Sequence, residues 1–190
     1  AEAAARWSGN PSSGHAAGRA AAGKLRLLKA AVAQALDFAD GRVVLMSGAT
    51  EANSWVIRSV LARYPSCRIL VAADVHASVW RTVRLFAEHM DVVSPDGAGR
   101  VTPAALAAAL TPDTRLFCCS HAANETGVIH DVAALSSLCA RRGVLCLVDG
   151  AQAVGHLPVR LSEGCCEFYV FAAHKFGGPR GVGGVCLRWD

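Results

Sequence analysis

Short apolar runs alternate with longer segments of helical character from one end of the 190-residue chain to the other. This rhythm is the strongest constraint in the sequence. It predicts an α/β domain whose strands are mostly parallel, because parallel neighbours need a crossover of about a dozen residues, normally a helix. Strands are expected at 43–46, 68–73, 90–93, 115–119, 144–148, 167–171 and 184–188, and helices at 16–38, 51–63, 77–89, 103–110 and 132–141. Thr102 followed by Pro103 is an N-cap and first-turn signal for the fourth of these helices.

Hydrophobic residues make up 53% of the chain and charged residues 18%, which excludes general disorder. The apolar runs are far shorter than the roughly 20 residues that cross a bilayer, and no export signal is visible. No membrane association is expected, and the cytoplasm is the expected compartment. The net charge is +4, and Arg141-Arg142 is the only adjacent basic pair, so no nucleic-acid footprint is expected. The eight cysteines contain no C-x-x-C spacing, and several lie inside apolar runs. They read as buried reduced thiols, with no metal site. The vicinal pairs Cys118-Cys119 and Cys165-Cys166 would project to opposite faces of a strand and so neither bridge nor share a metal.

In an open α/β sheet, ligands bind beyond the carboxyl ends of the strands, so the residues following each expected strand are the candidates for chemistry. After 43–46 come Ser47-Gly48-Ala49-Thr50-Glu51 and a helix start. This is either a phosphate site made of backbone N–H groups and the Thr50 hydroxyl, or a plain cap on Ser47 or Thr50. After 68–73 comes Asp74-Val75-His76, whose imidazole is either an ordinary surface group or one able to stack on a ring and shuttle protons. After 115–119 comes Asn124 with Gly127 three residues on, which is also ordinary turn chemistry. After 144–148 comes Asp149, a carboxylate that needs a cation or donors if buried, with Gln152 close by. After 167–171 come His174 and Lys175. An amine there becomes a nucleophile able to form a Schiff base if its setting is apolar and closed. The glycine-rich run 177–184 lacks P-loop spacing and reads as a turn that returns the chain to the sheet.

Each of these features is commonplace alone. Together they supply a phosphate cradle, a ring-stacking imidazole, a carboxylate with a glutamine, and an amine. Those are the requirements of a pyridoxal phosphate site, where the carboxylate keeps the pyridine nitrogen protonated.

Five motifs then occur in a recognisable order: Gly9-Asn10-Pro11-Ser12-Ser13-Gly14-His15 with Gly18-Arg19, Ser47-Gly48-Ala49-Thr50-Glu51-Ala52-Asn53, Asn124-Glu125-Thr126-Gly127, Val148-Asp149-Gly150-Ala151-Gln152, and Ala173-His174-Lys175 with Gly178-Pro179-Arg180-Gly181-Val182-Gly183. From about residue 7 onward the chain resembles the cysteine desulfurases of the class V aminotransferase family. The resemblance implies the three-layer large domain of fold type I pyridoxal phosphate enzymes, with a mostly parallel seven-stranded sheet flanked by helices. It implies that Lys175 carries the cofactor and that Asp149 pairs with the pyridine nitrogen. Gln152 and Asn124 would lie on the ring's hydroxyl side, while His76 stacks on the ring and assists proton transfer. Ala49 through its N–H, Thr50 and His174 would hold the phosphate. The implied reaction takes L-cysteine to L-alanine and passes sulfur to an enzyme cysteine as a persulfide. The implied partners are a second copy of the chain in a homodimer and a sulfur-acceptor protein of iron–sulfur cluster assembly.

The chain departs from the family pattern at Ala172, where a phosphate-binding serine is usual, and at Ala123, where an asparagine is usual. No cysteine stands at the family's nucleophile position. Residues 1–190 are expected to be one incomplete cofactor-binding domain, truncated at both ends and lacking the small C-terminal domain and its substrate-binding arginine. By itself such a chain is expected to be inactive. Two other readings stay open: another class V aminotransferase or lyase acting on a small amino acid, and a catalytically inactive remnant.

Overall fold

A computed structural model describes residues 9–38, 41–162 and 166–188. Twelve regular elements follow the expected order. They are α1 (Ala16–Ala35), β1 (Arg42–Met46), α2 (Ala49–Arg63), β2 (Arg68–Ala72), α3 (Ala77–Phe86), β3 (His89–Val93), α4 (Pro103–Ala109), β4 (Thr114–Ser120), α5 (Val132–Arg141), β5 (Leu145–Asp149), β6 (Phe168–Ala172) and β7 (Gly183–Leu187), with a short 3-10 turn at Ala173–Phe176. The strands form one seven-stranded sheet in the order β1-β7-β6-β5-β4-β2-β3. All pairings are parallel except those of β7, which runs antiparallel to both β1 and β6. Since β1 therefore points the same way as β6, the carboxyl ends of β1, β2, β4, β5 and β6 share one edge.

Strand alternation separates the core into two layers. Leu70, Phe117, Cys119, Cys146, Val148, Tyr169 and Phe171 pack beneath α1, α4 and α5. Ile69, Val71, Leu116, Cys118, Leu147, Phe168 and Val170 pack beneath α2 and α3. Cys118 and Cys119 thus enter opposite layers, as the two-residue period requires. The seven cysteines within the described residues are free and buried; Cys165 lies outside them. Burial pushes the thiols of Cys166 and Cys186 up to about 12. Cys146 is also raised, by its thiol contacts with Cys119 and Cys139 and by desolvation.

The expected caps hold for α4, where Thr102 accepts from the Ala105 N–H and proline occupies the first turn. Two expected helices are shorter than the sequence suggests. The first stops at Ala35, and the chain turns through Asp37 at φ 51°. The third stops at Phe86, because residues 89–93 are taken up by pairing with β2. Among the described residues no helix is long and apolar enough to cross a membrane.

Candidate active site

A cavity of about 600 Å³ opens at the shared carboxyl edge. All eight residues singled out from the sequence line it: Ala49, Thr50, His76, Asn124, Asp149, Gln152, His174 and Lys175. They arrive on loops following five different strands, with Ser47, Gly48, Ala172 and Arg180 filling the wall between them.

Asp149 ends β5 and is only 6% exposed. Its Oδ2 accepts from Asn53 Nδ2 at 2.7 Å and its Oδ1 from the Ala151 N–H at 3.0 Å. Both donors are neutral, and none of the cavity's cations bonds to it. A carboxylate this enclosed normally has a cation partner, since desolvation costs several kcal/mol. The protonated nitrogen of a pyridine ring in the cavity would supply one.

At the start of α2 the cap residue is Gly48, which has no side-chain bond to the helix. The sequence left a cap on Ser47 or Thr50 open, and neither is formed. Instead Glu51 reaches back to accept from the Ser47 N–H and hydroxyl, both at 2.7 Å, which lowers its carboxyl pKa. The first-turn N–H groups therefore keep their freedom to bind an anion, aided by the helix dipole. Gly183 permits this arrangement, because a Cβ there would lie 2.7 Å from Gly48 Cα and 2.6 Å from the Phe171 carbonyl. The glycine-rich run acts as the expected return turn, with Gly177 and Gly181 at φ 85° and 80°.

Lys175 sits in the 3-10 turn after β6 and is half-buried, with His174 exposed beside it. The apolar, closed setting on which nucleophilicity of the amine was conditional is not formed by the described residues, because the turn lies at the rim of the sheet. Gln152 donates to Asn124 Oδ1, joining the β5 and β4 loops, and Asn124 donates to Glu125 at 2.9 Å. Ala172 is 1% exposed and offers no polar atom to the cavity, as the sequence indicates.

Several residues that build the site were not recognised from sequence. The Tyr169 ring occupies the space where a Cβ on residue 150 would fall, 2.2 Å away, so any larger residue after Asp149 would have to displace that buried ring. The Tyr169 hydroxyl bonds to His121 Nδ1 at 2.7 Å, and the His121 N–H holds the Asp149 carbonyl at 2.9 Å. Burial lowers the His121 pKa and raises that of Tyr169. His130, fully buried, accepts at Nδ1 from the Val101 N–H and donates through Nε2 to Asp74 Oδ2 at 2.7 Å. That pair pins the loop carrying His76. Asn53 stood in the Ser47–Asn53 motif without an assigned role, because pairing across the fold cannot be read from spacing.

An open, largely parallel sheet with an amine, an uncompensated carboxylate and a free helix start at its carboxyl edge defines the large domain of the fold type I class. The family model described as aminotransferase class V matches residues 1–190, and the chain belongs to that family. It is 39% identical over 186 residues to the cysteine desulfurase of Cereibacter sphaeroides, covering 95% of this chain and 48% of the relative. It is 36% identical over 186 residues to the cysteine desulfurase IscS of Azotobacter vinelandii, covering 95% and 46%. Among solved structures, a NifS-like protein superposes with a TM-score of 0.89 at 28% identity, covering 95% of this chain and 52% of the other. DndA from Streptomyces lividans gives 0.83 at 28%, covering 96% and 52%. The chain spans about half the length of the curated relatives it matches.

Proposed function

We propose that this chain is the cofactor-binding large domain of a pyridoxal phosphate-dependent cysteine desulfurase, with the smaller domain of such an enzyme lying outside residues 1–190. The observation that carries the proposal is the Asp149 carboxylate, enclosed and without a cation in the same cavity as the Lys175 amine. The class V family and the desulfurase relatives support it.

In this reading Lys175 anchors the cofactor's aldehyde carbon. Asp149, steadied by Asn53 and Ala151, keeps the ring nitrogen protonated. The phosphate rests on the Ala49 N–H, Thr50 and His174, and Gln152 and Asn124 face the ring hydroxyl. His76 lies against the ring and holds or moves a proton at Nε2. Bound pyridoxal phosphate supplies an electron sink for charge developing at the substrate α-carbon. The substrate is L-cysteine and the product L-alanine, with the sulfur taken by an enzyme thiol. None of the described cysteines suits that task, since all are buried and a nucleophilic thiol must be exposed and readily ionised. The sulfur then passes to an acceptor protein of iron–sulfur assembly, and the working enzyme is a cytoplasmic homodimer. Ala172 favours a second reading, a catalytically inactive remnant, because it leaves the phosphate one side-chain donor short and so weakens cofactor retention.

The test is to add pyridoxal phosphate to the purified chain, reduce with borohydride, and map the modified peptide by mass. Labelling at Lys175 that disappears in a folded Asp149→Ala variant is the expected result. Labelling confined to Lys24 and Lys29, or none, overturns the proposal.

A further inference from the structure

Asn53 and Ser78 are almost fully buried polar residues on neighbouring helices, 0% and 9% exposed. They join two members of the cavity that are not in contact with each other. Asn53 Nδ2 donates to Asp149 Oδ2 at 2.7 Å and to Ser78 Oγ at 3.0 Å. Ser78 Oγ lies 2.8 Å from His76 Nδ1, and the Ser78 N–H donates to the same nitrogen at 3.1 Å. Thr82 ties down the same turn by donating to the Ser78 carbonyl at 2.7 Å.

Donor and acceptor logic fixes every proton in this chain. A backbone N–H cannot accept, so Nδ1 presents its lone pair and neutral His76 carries its proton on Nε2. Ser78 Oγ already accepts from Asn53, which leaves its own hydrogen for Nδ1. The Asn53 amide cannot turn over, because its Oδ1 would then face the Asp149 carboxylate. That orientation leaves Asn53 Oδ1 buried with no hydrogen-bond partner among the described residues. A buried unpaired acceptor is the exception in folded proteins and calls for an explanation. Here it follows from aiming both amide hydrogens at the cavity's carboxylate and at the hydroxyl that holds its imidazole.

We propose that Asn53 and Ser78 are positioning residues that couple Asp149 to His76 and hold the imidazole in its Nε2–H tautomer toward the cavity. The purpose of the relay rests on the pyridoxal phosphate reading above, whereas the coupling itself exists without cofactor. It makes the group that anchors the ring nitrogen and the group that lies on the ring face one unit.

The experiment uses the 15N-labelled chain without cofactor. Long-range 1H–15N correlations of the histidine side chains are recorded at neutral pH, with His76 assigned by the peaks lost in His76→Gln. The expected spectrum shows His76 with Nε2 protonated and Nδ1 bare and hydrogen-bonded. Asn53→Leu, similar in volume, shifts the Nδ1 resonance although Asn53 does not touch His76. Ser78→Ala shifts it further in the same direction, and Ser78→Thr restores it. A packing role for Asn53 would leave that resonance in place. An Nδ1–H tautomer in the unsubstituted chain overturns the proposal, as does an unmoved Nδ1 resonance in folded Asn53→Leu. Should Asn53→Leu lose spectral dispersion, an unmoved resonance in Ser78→Ala overturns it instead. A second arm measures pyridoxal phosphate retention, which Asn53→Leu weakens about tenfold, the effect of one hydrogen bond to a charged group. Failure of the unsubstituted chain to retain the cofactor at Lys175 overturns the functional reading and leaves the NMR arm to decide the relay.

Discussion

Cys146 and Asp149 stand three residues apart on β5, both nearly without solvent exposure. Cys146 lies mid-strand among Cys119, Cys139 and aromatic rings, where its thiol acts as a small hydrophobe and is held protonated. Asp149 lies at the strand's carboxyl end, where α2 brings the Asn53 amide to it and the following loop the Ala151 N–H. Burial alone therefore does not mark chemistry in this molecule. What distinguishes the edge from the interior is that backbone pairing ends just beyond Asp149, so the chain departs into loops whose N–H groups and side chains reach its carboxylate.

The contrast can be pressed from both sides. Truncating the interior has the largest effect: Phe117→Ala, at a fully buried position, removes about 3–5 kcal/mol of stability in urea unfolding. An equal loss from Thr50→Ala at the rim would erase the contrast. The interior thiols also make an alkaline prediction. Cys166 and Cys186 ionise near 12 in the folded chain, above the ordinary thiol value of 9.0. Stability is thus fully present below about pH 9 and falls as pH rises toward 12, because the unfolded chain releases these protons first. The loss is about 1.4 kcal/mol per thiol for each pH unit in that window, followed by unfolding at stepped pH. At the edge, Ala172→Ser returns a donor to the cavity and raises pyridoxal phosphate retention about tenfold, read by equilibrium dialysis. The smallest effect is expected at Asp91, which has the cation that Asp149 lacks. Arg68 binds it in bidentate fashion at 2.7 and 2.9 Å and lowers its carboxyl pKa. Since that pair is about one-third exposed, Asp91→Asn costs less than about 1 kcal/mol in thermal unfolding.

The interior was legible from sequence because hydrophobic period and length are local properties. Every expected strand and helix is present, and the errors are confined to ends such as Ala35 and Phe86. The cavity residues were legible for a related reason: each follows a strand, and the parallel arrangement carries strand ends to one place. The site's supporting bonds were not legible. Asn53 with Asp149, His130 with Asp74 and Tyr169 with His121 are 96, 56 and 48 residues apart, and no periodicity encodes such pairs. The antiparallel course of β7 was also hidden, because a buried apolar strand reads alike in either direction.

That course has a consequence for the order in which the molecule assembles. Among the strands, β1 pairs with β7 alone, Val43 facing Cys186 and Met46 facing Gly183. The helix start that would receive the phosphate follows directly from β1. The place of β1 in the sheet is therefore secured only after a strand about 140 residues later in the chain has been made and docked. Such long-range closure is slow compared with local pairing. During synthesis, β2 to β6 can form their parallel ladder first, while the segment around residues 42–50 waits. The strand leading into the anion-binding corner is then the last to dock, whereas α2, whose Asn53 holds Asp149, can already lie against β4, β5 and β6.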